Sequence, residues 1–145
     1  RGDVHAHAVQ AKVGALLPVR PGCSDNVAFI ATGALLRTAT DIAAASYPDA
    51  AVWSAPFIKP IDTEQVTEIC RRYSTVIVLE EHSVLGGLGS VITEISAELA
   101  PVRVLRIGVN DRFSHHCGTY EYLLKEHGLD RASIEQRIHT YLSAD

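Results

Sequence analysis

The sequence predicts a three-layer α/β/α domain on a largely parallel sheet, and three observations carry that prediction. Apolar, β-branched runs alternate with segments of helical apolar spacing along most of the 145 residues. Strands joined through crossover helices leave this pattern. The runs at residues 26–32 and 76–80 are short and almost wholly apolar, as strands covered on both faces are. The second run ends in Glu80, Glu81 and His82, then in the turn Gly86-Gly87-Leu88-Gly89-Ser90 and an amphipathic segment. Strand, polar tip, glycine turn and helix are how an α/β fold presents chemistry at the carboxyl edge of its sheet.

The elements follow in order. Residues 1–12 are polar and alanine-rich, contain His5 and His7, and read as a lead-in or linker; the domain proper is expected over 13–145. Residues 13–19 form a short apolar run interrupted by Pro18 and stopped by Pro21 and Gly22, the signature of an edge strand. Residues 26–32 are a buried strand ended by Gly33. Leu35, Leu36, Ala39, Ile42 and Ala43 then recur at helical spacing until Tyr47-Pro48. Residues 51–54 are the next strand, and Pro56 and Pro60 bracket an irregular turn. Asp62 with Gln65 has the spacing of a capping box, with Val66, Ile69, Cys70 and Tyr73 on the buried face. After the strand at 76–80, residues 90–100 are a helix with Val91, Ile92, Ile95 and Leu99 inward. Residues 102–107 are the last strand, and 108–118 a long polar loop. Residues 119–127 form a helix ended by Gly128. Asp130 caps a final helix with Ile134, Ile138 and Tyr141 on one face. Right-handed crossovers gather the strand-to-helix turns on one edge. The crevice is expected between the strands ending at Thr32 and Glu80 if the strand order reverses there.

Composition narrows the function classes. Net charge is −4, with no block of Lys or Arg, so nucleic acid and anionic membrane are not the expected partners. No apolar run reaches the length of a membrane span. Cys23, Cys70 and Cys117 are odd in number and form no CxxC pair, which fits a reducing cytoplasm better than a disulfide framework. The chain opens at Arg1 and holds no methionine, and it reads as a processed protein or as a piece of a longer one. The opening Arg1-Gly2-Asp3 is a chance match to an adhesion tripeptide.

Four segments, in order and at matching intervals, resemble the C-terminal domain of the transketolase family. They are Asn26-Val27-Ala28-Phe29-Ile30-Ala31-Thr32-Gly33, then Phe57-Ile58-Lys59-Pro60-Ile61-Asp62. The third is Glu80-Glu81-His82 with Gly86-Gly87-Leu88-Gly89-Ser90, and the fourth is Ile107-Gly108-Val109-Asn110-Asp111-Arg112-Phe113. The resemblance covers about residues 13–142. It implies a five-stranded mixed sheet of order 1-3-2-4-5 with strand 1 antiparallel. It also implies a complete enzyme using thiamine diphosphate and a divalent metal such as Mg, with the cofactor between pyrophosphate- and pyrimidine-binding domains absent from this chain. Such an enzyme is a homodimer or heterotetramer. The present chain would serve assembly and shape the substrate entrance, and would be inactive alone. Transfer of two-carbon ketol units between sugar phosphates is the preferred activity. A 2-oxo acid dehydrogenase β subunit and deoxyxylulose phosphate synthase are the alternatives, and a free-standing nucleotide or sugar-phosphate binding module is the rival of another class.

The site residues expected at an interface or substrate entrance are Glu80, Glu81, His82, Gly86, Gly87, Gly89, Ser90, Asp111, Arg112 and Phe113. No catalytic, cofactor-binding or metal-binding residue is assigned. The glycine turn opens a helix, where free N–H groups attract phosphate, but it lacks the GxGxxG spacing and a Walker lysine. A tight turn that lets helix and sheet approach is preferred. Glu80 and Glu81 are strand neighbours facing opposite sides, so they do not share a proton or a metal; one is expected in the crevice or at an interface, the other in solvent. His82, His115, His116 and Cys117 have the ligand chemistry of zinc without its spacing. Cys117 beside His116 lacks an orienting third group for nucleophilic catalysis. Arg106 and Arg112 flank the last loop, placed to meet a phosphate or carboxylate.

Overall fold

The computed structural model describes residue 4 and residues 8–144. Arg1-Gly2-Asp3, His5 and His7 therefore lie outside the described residues. The elements are β1 (Leu17–Arg20), β2 (Val27–Ala31), α1 (Leu35–Ser46), β3 (Ala51–Ser54), α2 (Thr63–Arg72), β4 (Thr75–Ser83), α3 (Leu88–Leu99), β5 (Arg103–Val109), α4 (Tyr120–Glu126) and α5 (Arg131–Ser143). The sheet has the order β1-β3-β2-β4-β5. β1 is antiparallel to β3, and the remaining pairings are parallel. The expected architecture is present.

Two apolar cores flank the sheet, and the pleat sorts residues between them. Val27, Phe29 and Ala31 of β2, Ile77 and Leu79 of β4, and Ile107 of β5 pack on the side of α1 and α5. Ala28 and Ile30 of β2, with Val76 and Val78 of β4, pack on the side of α2 and α3. β2 and residues 75–80 of β4 are buried throughout, as parallel strands under two helical layers are.

The boundaries differ from the expectation where local signals compete. The edge strand starts at Leu17 rather than residue 13, because Val13 and Gly14 form a turn in which Gly14 has φ +82° and Val13 is exposed. The turn is tied down from α2. Asp62 N–H donates to the Gly14 carbonyl at 2.8 Å. The Gln65 amide donates to Leu16 O at 2.9 Å and accepts from Leu16 N–H at 2.7 Å. Asp62 also caps α2 by accepting from Gln65 N–H at 3.0 Å. The irregular turn after β3 contains a cis Lys59–Pro60 bond. Leu99 is 49% exposed rather than inward; in the last turn of α3 the buried position falls to Ser96, whose hydroxyl donates to Ala100 O at 3.2 Å. Tyr141 is half-buried, and Arg103 stacks 4.8 Å over its ring.

Of the three cysteines, Cys23 and Cys117 are exposed and Cys70 is buried in the core under α2. Burial pushes the Cys70 thiol pKa up, against a smaller opposing pull from Ser96, so it holds less reactive thiolate at neutral pH. Alkylation of the native protein with iodoacetamide at pH 8, followed by mass spectrometry, is expected to modify Cys23 and Cys117 quickly. Cys70 should react at least about 100-fold more slowly, until urea opens the fold. Equal rates at all three would contradict this packing.

Candidate functional site

The tip of β4 organises the carboxyl edge. With Val76 and Val78 directed to the α2/α3 side and Ile77 and Leu79 to the α1/α5 side, the alternation carries Glu80 beneath α3 and Glu81 to the opposite layer. Glu80 is 1% exposed. Its carboxylate accepts from Leu88 N–H and Gly89 N–H, both at 2.8 Å. These are the first amides of α3, donors without a partner inside the helix. The N-cap residue is Gly87, which has no side chain to cap them. A carboxylate reaching across from the strand supplies the cap and a negative charge at the positive end of the helix dipole. The expectation of one glutamate in the crevice or at an interface and the other in solvent is corrected for Glu80, which is internal to this domain.

The glycines make room for this contact. A Cβ on Gly87 would lie 2.6 Å from Glu80 Cδ and 2.7 Å from Ser83 O. One on Gly89 would meet Arg106 Cγ at 2.9 Å, and one on Gly108 would meet His82 O at 2.8 Å and Glu80 Cγ at 3.1 Å. Gly86 instead provides φ +75° for the turn. Ser90 closes it: its hydroxyl accepts from Gly86 N–H and donates to Val84 O, each at 2.9 Å. Arg106 donates to Val84 O at 2.9 Å and to Ser90 Oγ at 3.3 Å. The helix end that would hold a phosphate is filled by the protein's own carboxylate. Arg106 is likewise engaged in the turn, with its stem against Gly89.

Glu81 lies against two residues of the crevice wall, Gly33 and Tyr120. β2 connects to β3 on one side of the sheet and β4 to β5 on the other, so the strand order reverses between β2 and β4. A cleft of about 340 Å³ opens beside that point, lined by Val4, Gly33, Ala34, Arg37, Thr38, Tyr120 and Leu124. The Tyr120 hydroxyl donates to Glu81 Oε1. Gly33, at φ +62°, precedes α1, and a Cβ there would lie 3.6 Å from Glu81 Oε2. The N-cap of α1 is Ala34, which makes no side-chain cap. The two adjacent glutamates thus stand at the N-terminal ends of helices in opposite layers. His82, beyond them, is exposed.

The loop after β5 is fastened to the far end of α4. Arg112 donates to Glu126 O. His115 N–H donates to Glu126 Oε1 at 2.7 Å, and Ser114 Oγ lies 2.7 Å from His127 Nε2. His127 is 9% exposed. His127 Nδ1 and Glu126 Oε2 are buried with no hydrogen-bond partner among the described residues. Asp111, His115, His116 and Cys117 are exposed, and Phe113 is 94% exposed. Among the described residues no three His, Cys, Asp or Glu groups come together as a metal site. Tyr120, Ser114, Glu126 and His127 were not anticipated; they meet their partners through tertiary packing, and no sequence spacing relates them.

Glu80→Gln retains one oxygen acceptor but turns an amide donor toward an α3 N–H. It is expected to cost about 1–3 kcal/mol, the range for a buried group left unsatisfied. Gly87→Ala, which places a methyl group into the carboxylate, should cost at least as much. Urea unfolding measured by circular dichroism checks both, and unchanged midpoints would show that this cap does not support the fold.

The comparisons with known proteins agree with the fold. The family described as "Transketolase, C-terminal domain" matches residues 16–134. The 1-deoxy-D-xylulose-5-phosphate synthase of Dechloromonas aromatica (strain RCB) is 39% identical over 114 residues, 78% of this chain and 18% of the relative. That of Methylibium petroleiphilum (strain ATCC BAA-1232 / LMG 22953 / PM1) is 40% identical over 118 residues, 81% of this chain and 18% of the relative. The chain therefore spans about a fifth of the length of these curated relatives. A solved structure titled "Split gene transketolase, inactive beta4 tetramer" superposes with a TM-score of 0.85 at 30% identity, covering 96% of this chain and 46% of the other. By its fold, its ordered motifs and these matches, the chain belongs to the transketolase C-terminal domain family.

Proposed function

We propose that this chain is the assembly and substrate-entrance domain of a thiamine-diphosphate-dependent enzyme that transfers two-carbon ketol units between sugar phosphates. The observation that carries this reading is the character of the carboxyl edge. Leu85 and Phe113, on turns fastened by hydrogen bonds, and Tyr120 and Tyr122, on α4, are large apolar side chains left exposed there. Apolar groups held out in this way suit a protein surface that is to be covered.

The glycine turn at the start of α3 does not suit the cofactor's diphosphate, because it holds the Glu80 carboxylate. The cofactor and its metal are therefore assigned to pyrophosphate- and pyrimidine-binding domains outside these residues, in the same polypeptide or in a companion subunit. When bound there, the cofactor supplies the stabilised carbanion of the reaction. In this reading residues 1–12 are the linker, the isolated domain is inactive, the assembly is a homodimer or heterotetramer, and it works in the cytoplasm. Among the described residues no helix is long and apolar enough to cross a membrane.

A second reading, synthesis of 1-deoxy-D-xylulose 5-phosphate, is favoured by the 34–40% identity to synthases of that name. Assay of the complete enzyme for ketol transfer and for that product separates the two. In either case His82→Ala or Arg112→Ala in the complete enzyme is expected to raise KM or weaken subunit association by about 3- to 30-fold, with kcat within about 2-fold, the signature of lost binding without lost chemistry. A large fall in kcat with normal assembly and KM would overturn the entrance and assembly role.

A further inference from the structure

We propose that Phe113 is the anchor by which this domain docks onto the remainder of its enzyme. The inference rests on the assembly role above and names the residue and pocket that would carry it.

The loop that bears Phe113 is tied to the end of α4: Arg112 donates to the Glu126 carbonyl, Ser114 bonds His127, and His115 N–H donates to the Glu126 carboxylate. Gly118 lies flat on the Tyr122 ring, where a Cβ would stand 2.8 Å from Cγ. The phenylalanine between Arg112 and Ser114 is left 94% exposed. An unfastened loop could fold such a ring back toward the core. Here both neighbours are held by α4 and its C-terminal residue, so the ring is presented outward. A rigid aromatic on a fastened loop loses little conformational entropy on binding, which is what distinguishes anchor residues of interfaces.

The occupant is the part of the enzyme that these residues do not include. The relatives run to about five times the length matched here, and the solved transketolase neighbour is about twice as long as this chain. Asp111 and Arg112 flank the ring with charges of both signs, so the surface it enters is an apolar pocket with a mixed polar rim.

The test uses the complete enzyme. Phe113→Ala is expected to weaken subunit or domain association by roughly 30-fold, the factor for truncating an anchor residue, with an unchanged melting temperature of the domain because the ring makes little contact within it. Phe113→Leu should recover part of the loss. Ser114→Ala, which keeps the ring but releases the loop, should weaken association by about 3- to 10-fold. A photo-crosslinking benzoylphenylalanine at position 113 is expected to capture peptides outside residues 1–145. Crosslinks confined to residues 1–145 of a second copy, or association unaltered in Phe113→Ala, would overturn the proposal. If Phe113→Ala is silent while His82→Ala or Arg112→Ala weakens assembly, the anchor falls and the assembly role stands. If all three are silent, both fall.

Discussion

The fold's functional edge depends on one buried contact, the Glu80 carboxylate on the first two amides of α3. A strand residue thereby sets where a helix begins, and the helix in turn fixes the glycine turn between them. The contact is satisfied on both sides: a buried charge has two N–H donors, and two orphan amides have an anionic acceptor. Much of the neighbouring sequence accommodates it. Gly87 and Gly108 clear the space of the carboxylate and its stem, Gly89 admits the stem of Arg106, and Ser90 with Arg106 closes the turn over Val84.

This explains why the motif reads ambiguously as sequence. A glycine-rich turn opening a helix after a parallel strand serves equally for an external phosphate and for an internal cap. What separates the two is whether the strand's last inward residue is itself an anion. Here it is, at a position whose parity places it under α3. The same parity sends Glu81 to α1 and to Tyr120, so a pair that resembles acid–base machinery is divided between two layers.

The fold was legible because periodicity and punctuation agree. Continuous apolar strands, Gly33 after β2, Asp62 as the cap of α2, and Asp130 before α5 each report a local rule that tertiary structure obeys, whereas the Gln65 side chain bonds Leu16 instead of completing the capping box. The family motifs then supplied the strand order, which periodicity alone does not determine. The site was legible only by location. Glu80 was singled out, but its partners are main-chain amides, which no sequence displays. Ser114, His127, Glu126 and Tyr120 meet across loops whose geometry follows from the docking of α4. Leu99 was misplaced because the last turn of α3 buries the hydroxyl of Ser96 instead, a local hydrogen-bond choice that apolar spacing does not encode.

The stretch Val76-Ile77-Val78-Leu79-Glu80-Glu81 has a further consequence for how the central strand finds its place. Apolar residues face both ways and the acids come as a pair, so sliding the strand by one position would exchange like for like on each side. Hydrophobic patterning therefore distinguishes poorly between neighbouring alignments of β4. The glycines narrow the choice: an alignment that brought Leu79 to this place would put an apolar side chain where Gly87 and Gly108 leave room for a carboxylate, and would leave the first amides of α3 unpaired. Two residues without side chains act as a gauge, marking by the space they leave empty where the acidic end of the strand belongs.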